Sequence, residues 1–228
     1  MRYTNKHRTA PEPPSPTVVD FGNATGMSDG RLLALFAEGF RGWSVGRVAV
    51  RVRHGHGADF SGSCRSLLTI GDDGPRFANQ RIFVNVGRHL RYPYRMATHV
   101  ARRARPSQPY SIELGDAYQL ATFVFMHELY HLLVARAGRD RRRKEAECDR
   151  FAARHLAGRF HAAVRREDGR RAPRAEWDFQ DLERFVAAAR DPGRGIIVLA
   201  PRQAASSGAG GRIIRGLRGE AGTGRRRA

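Results

Sequence analysis

The run Leu120–Val134 constrains this chain more than any other stretch. It is almost wholly apolar, yet His127-Glu128-Leu129-Tyr130-His131 sits at its centre. Extended to Ala117–Ala137, the run has about the 20 residues that a membrane span needs. His127, Glu128 and His131 would be costly in lipid, however, and are natural in a protein interior that holds a metal. The run therefore reads as a buried core helix, starting at Asp116 and stopped by Gly138. On a helix, residues four apart share a face, so both imidazoles can reach one ion. Glu128 projects beside that ion, where a carboxylate could take a proton from bound water.

A catalytic zinc usually takes three protein ligands and one water. The metzincin pattern H-E-x-x-H-x-x-G-x-x-H requires glycine and histidine where this chain has Val134 and Ala137, so that class is excluded. Beyond Gly138 stands Glu145-Ala146-Glu147-Cys148-Asp149, far enough on for the chain to reverse and lay a second helix against the first. Glu145 and Asp149 share a face. One carboxylate could bind the metal while the other accepts a hydrogen bond from a ligand imidazole and fixes its tautomer. Glu147 points about 200° away from Glu145 on such a helix. Only Glu145 has an aspartate four residues on, which favours it as the ligand. Ala146 and Cys148 are small and allow close helix approach.

With H-E-x-x-H followed by E-x-x-x-D, the chain resembles the gluzincin metallopeptidases. The run Glu145-Ala-Glu-Cys-Asp149-Arg-Phe151-Ala152-Ala153 is similar to the E-x-E-A-D-x-F-A of small ImmA/IrrE-type metallo-endopeptidases. The likeness spans about 70 to 90 residues, from the third strand signal to Gly158. Cys148 stands in place of the usual alanine and Tyr130 in place of the usual glycine of H-E-L-G-H, and the Pro-containing segment expected after the second helix is absent. The resemblance implies Zn2+ held by His127, His131 and Glu145, Glu128 as general base, and Asp149 bonded to a ligand imidazole. It also implies a small α+β zincin-like domain, with a sheet of three strands or slightly more packed on the active-site helix. The expected activity is hydrolysis of peptide bonds in a protein or peptide substrate. Tyr130, His155 and His161 are candidate oxyanion partners, and the Ile82–Val86 strand is the expected sheet edge for an extended peptide.

The 228 residues suffice for one domain with a proper core. Lys and Arg number 41 against 22 Asp and Glu, a net charge of +19, with arginine dominating. That field makes nucleic acid an alternative partner, reached through the basic tails. A zinc-binding regulatory protein without catalysis is the other alternative. Two distant cysteines, Cys64 and Cys148, form no disulfide framework, and the N-terminus lacks an apolar signal core. A reduced, cytoplasmic setting is the expectation. His54-Gly55-His56 reads as a Gly-rich loop rather than a metal clip.

Residues 1–27 read as a flexible Pro/Gly-rich arm, 28–200 as the domain, and 201–228 as a disordered Arg/Gly-rich tail. Ser28 is the expected N-cap of a short amphipathic helix containing Leu32, Leu33, Leu35, Phe36 and Phe40. Strand patterns follow at Arg47–Arg53, Ser66–Ile70 and Arg81–Val86. Residues 88–109 read as loop, with a helical turn or two over Met96–Ala104. Helices are expected over Lys144–Ala157, stopped by Gly158, and over Glu176–Ala189, anchored by Trp177 and Phe179. Gly195–Ala200 suggests a last short strand.

Overall fold

A computed structural model describes residues 17–56, 60–71, 74–100, 110–140, 144–189 and 196–199. The chain runs β1 (Thr17–Asn23), α1 (Asp29–Phe40), β2 (Arg47–His54), β3 (Ser61–Gly71), β4 (Gly74–Val86), β5 (Tyr94–Thr98), β6 (Tyr110–Leu114), α2 (Ala117–Arg136), α3 (Glu145–Phe160), β7 (Val164–Arg165), α4 (Arg174–Trp177), α5 (Leu182–Phe185) and β8 (Ile196–Leu199). The class is α+β, as expected. Among the described residues, the main sheet has five strands in the order β3-β4-β2-β1-β8, and a smaller one has the order β5-β6-β7. Strands β4, β2, β1 and β8 are parallel, whereas β3 returns antiparallel along β4.

The central strands follow their period-2 patterns. Val48, Val50 and Val52 of β2 and Ile82, Val84 and Val86 of β4 are all buried on the face toward the helices. One hydrophobic core runs from Val19 to Ala189. Helix α2 has its start capped by Asp116, which accepts from the Gln119 backbone N–H. It ends at Gly138, whose φ of 67° is the left-handed geometry that favours glycine. Leu120 to Met126 are all buried, so α2 has no solvent stripe. It lies against β3, β4, α1 and α3. Phe36 of α1 stacks on Phe125 at 4.3 Å between ring centroids. Gly39 lets α1 approach, since a Cβ there would stand 2.5 Å from Met126 Sδ. Among the described residues, no helix is long and apolar enough to cross a membrane.

Several expectations are corrected. The arm assigned to residues 1–27 is too long, because Thr17–Asn23 forms β1 between β2 and β8 with Val19 and Phe21 buried. Its backbone groups are satisfied by two parallel neighbours distant in sequence, which no local pattern reveals. Residues 1–16 and the tail 201–228 lie outside the described residues. The Ser66–Ile70 and Arg81–Val86 signals are parts of one long hairpin, β3–β4. The start of the helical turn expected over Met96–Ala104 is instead strand, Tyr94–Thr98, with Met96 and Thr98 buried alternately; residues 101–104 lie outside the described residues. Gly158 does not stop α3, which continues to Phe160 and closes on His161 at φ 55°. The single helix over Glu176–Ala189 is replaced by α4, α5 and a 3-10 turn at Ala187–Ala189. Asp178 interrupts it by pairing with Arg154 and Arg174, and Asp181 caps a new start by accepting from the Arg184 N–H. Trp177 is a core anchor as expected.

Candidate metal centre

His127 and His131 lie one turn apart on α2, their ring centroids 5.0 Å apart. The first turn of α3 meets them. Glu145 Oε2 is 3.2 Å from His127 Nε2, and Oε1 is 3.4 Å from His131 Nε2. On the other side of the first ring, His127 Nδ1 donates to Asp149 Oδ1 at 2.8 Å. This bond fixes the ring so that Nε2 is the nitrogen facing His131 and Glu145. Both rings are largely covered, while the Glu145 side chain is 57% exposed. The two-helix arrangement expected from the E-x-x-x-D spacing is therefore present. Glu147 turns away toward Lys144, 3.8 Å from its ammonium, and takes no part in the cluster.

The electrostatics follow from this packing. Burial works to lower the His127 pKa, but hydrogen bonds to Asp149 and Glu145, with the charges of Asp149 and Glu128, outweigh it and hold the ring at about 10. Burial of Asp149 is likewise outweighed by bonds from His127 and His99, so its carboxyl lies well below the usual range. The two histidines lower Glu145 in the same way. Glu128 is different. It is buried, and desolvation pushes its carboxyl up, only partly countered by the two histidines and the Cys64 backbone hydrogen bond. Strand β3 crosses directly over it: a Cβ on Gly62 would stand 2.3 Å from Glu128 Oε1. A carboxylate made more basic beside two imidazoles has the character of a proton acceptor.

A second donor set shares the two imidazoles. Donor atoms of His127, His131 and buried Cys148 all lie within 4.8 Å of one another, a group that could hold a metal ion. Two candidate third donors thus come from α3. Glu145 is the better placed, because its oxygens already stand within 3.4 Å of both Nε2 atoms. The Cys148 thiol is pushed up by burial and by the surrounding carboxylates, so a proton would have to leave before it could bind.

None of the three oxyanion candidates joins this cluster. Tyr130 faces the other side of α2, its ring tilted against Phe151, and its hydroxyl donates to the Leu182 carbonyl at 3.0 Å. His155 has a buried Nε2 in a separate cavity of about 320 Å³ beside Trp43 and Arg154. His161 is the left-handed cap of α3. His54 ends β2 and, with His56, belongs to no donor cluster among the described residues. The expected substrate edge is also corrected: β4 is internal, and β3 is the edge strand on that side of the sheet. His99, directly after β5, was not among the expected site residues, yet its backbone N–H and ring both reach Asp149. No local motif marks it, since the contact links positions 50 residues apart.

The fold and this two-helix cluster are what the chain shows on its own, for no protein family, curated protein or solved structure matches it.

Proposed function

We propose that this chain is a zinc-dependent metallopeptidase that hydrolyses peptide bonds in a protein or peptide substrate. The observation that carries the reading is the convergence of Glu145 on both Nε2 atoms, with Glu128 on the same helix turn beneath an edge strand. The donor set suits zinc: two imidazoles and a carboxylate are a common catalytic triad of ligands and leave a position for water. His127 Nε2, His131 Nε2 and Glu145 would hold the ion. When bound, it would lower the pKa of a coordinated water and polarise the scissile carbonyl.

The remaining steps belong to this chain's residues. Asp149 keeps the His127 Nδ1 proton in place and so directs Nε2 inward. Glu128, made more basic by burial, accepts the proton from the attacking water. The water oxygen bonds to the carbonyl carbon, the C–N bond breaks, and Glu128 returns the proton to the leaving nitrogen. Strand β3 lies across Glu128 and is a sheet edge, so an extended peptide added alongside it would pass the same carboxylate.

Glu128→Gln keeps the side chain's shape and removes its basicity. The variant is expected to take up zinc as the wild type does and to lose hydrolysis by about a hundredfold or more. Full hydrolysis in this variant would overturn the peptidase reading. The Cys148 geometry favours a second reading, in which four protein donors close the site and the centre is structural. Cobalt-loaded protein separates the two. A thiolate-to-cobalt charge-transfer band abolished by Cys148→Ala supports the closed centre; its absence, with metal lost in Glu145→Ala, supports the open one.

A further inference from the structure

We infer that His99 is a positioning residue of the metal centre, acting through Asp149 on His127. The inference rests on the metal-site reading above and adds to it a residue that directly follows strand β5. Asp149 uses its two oxygens for two separate histidines. Oδ1 accepts from His127 Nδ1 at 2.8 Å. Oδ2 accepts from the His99 backbone N–H at 2.7 Å and from His99 Nδ1 at 3.1 Å.

The Asp149 side chain is only 5% exposed, so solvent cannot take over the role of a lost donor. Without the His99 ring, Oδ2 would keep only the His99 backbone N–H, one donor where this buried oxygen now takes two. Two donors on Oδ2 fix the carboxylate plane, and with it the direction of Oδ1 toward His127. That direction keeps the His127 proton on Nδ1 and leaves Nε2 for the ion. His99 is itself well anchored. Thr98 and Val100 on either side are buried, and the Thr98 hydroxyl donates to the Tyr110 carbonyl of β6 at 3.3 Å. Strand β5 is paired along its length with β6, which leads directly into α2. The small sheet thus braces the centre from the side opposite Glu145.

The test is competitive zinc titration of the full chain as wild type, His99→Ala, His99→Leu and His99→Asn. Asparagine places an amide N–H where the imidazole Nδ1–H stands, whereas leucine keeps bulk without a donor. Alanine and leucine are expected to weaken zinc binding about ten- to a hundredfold, and asparagine to restore most of it. The loss of zinc affinity should exceed any loss of thermal stability in the metal-free proteins, since the backbone N–H still holds Oδ2 and the ring is half-exposed. Unchanged affinity in His99→Ala, or equal weakening by Asn and Leu, would overturn the role. If His99→Ala fails to fold, the Asn and Leu pair still decides the matter. A wild type that takes up no zinc would instead overturn the metal-centre reading beneath it.

Discussion

Helices α2 and α3 each bring metal-ligand candidates to one point, but they are held there by different forces. Helix α2 is apolar on nearly every side, and its place is set by packing: Phe125 is fully buried between Phe36 and Phe40, and Leu129, Leu132 and Leu133 are sealed off. Helix α3 buries Cys148, Phe151, Ala152, Ala153 and Leu156, and polar contacts pin the rest. Arg150 reaches Gln180, Arg154 reaches Asp178, and Arg159 meets Glu38 at 2.8 Å. Its first turn has no side-chain N-cap bond, although Glu145 and Glu147 there suit the helix dipole. The apolar, closely packed helix therefore carries the two candidate imidazole ligands, and the polar helix carries the more exposed candidate carboxylate.

That division makes opposite demands on two substitutions. Phe125→Ala removes a stacked, fully buried ring and should cost about 3–5 kcal/mol in denaturant unfolding. Its remaining folded fraction should still bind zinc. Glu145→Ala, at a side chain more than half exposed, should leave unfolding nearly unchanged and abolish tight zinc binding. The comparison fails if Glu145→Ala unfolds the protein, or if Phe125→Ala removes the metal without loss of stability.

Next in size is the contact between β3 and α2. Gly62→Ala puts a methyl where Glu128 Oε1 now lies, so either the carboxylate or the strand must move. A displacement near 1 Å at the reacting group is expected to lower peptide hydrolysis by about a hundredfold while zinc remains bound. An active Gly62→Ala would show that Glu128 is not confined by the strand.

The ion pairs on α3 can be tested by pH. The His127 pKa is raised from 6.5 to about 10 in the folded, metal-free protein. The stability this contributes is fully present below the unfolded value and is lost as pH rises through the folded one. Buried Asp149 is depressed, so its share is present above ordinary carboxylate values and lost as pH falls through the folded one, whereas the exposed Glu145 is screened by solvent and adds little. At the proposed centre zinc would compete with the proton on His127 Nε2. Apparent affinity should therefore climb about tenfold per pH unit between about pH 7 and pH 8, with one proton released per ion. Calorimetry in buffers of different ionisation enthalpy counts that proton. A flat profile would mean that the ring does not hold it.

The same contrast explains what was legible in the sequence. The core helix announced itself because a long apolar run interrupted by H-E-x-x-H has few other uses. Glu145 and Asp149 were readable because helical periodicity fixes which residues share a face. Strand β1 was hidden because its hydrogen-bond partners, β2 and β8, come from distant parts of the chain. His99 was hidden for the same reason, in an Arg-, Tyr- and Pro-rich segment that has no period of its own. The helix over Glu176–Ala189 was overread: its apolar spacing is real, but Asp178 and Asp181 spend their side chains on Arg154, Arg174 and the Arg184 N–H, which breaks the run into short turns. Local periodicity finds what one element needs, and it is silent on what two elements share.

The smallest effect concerns how α2 begins. Asp116 Oδ1 accepts from the Gln119 N–H at 2.8 Å, while Oδ2 is 2.9 Å from Arg31 on the surface. Asp116→Ala removes both contacts, and Asp116→Asn keeps a capping acceptor while losing the charge. The Arg31 pair is exposed and worth at most about 1 kcal/mol. The cap is worth about 1 kcal/mol, because an unsatisfied backbone N–H at the helix start has no other partner. Alanine should therefore lower unfolding stability by about 1 kcal/mol or slightly more, and asparagine by much less. If asparagine costs as much as alanine, the ion pair rather than the cap secures this end, and α2 would depend on charge as α3 does.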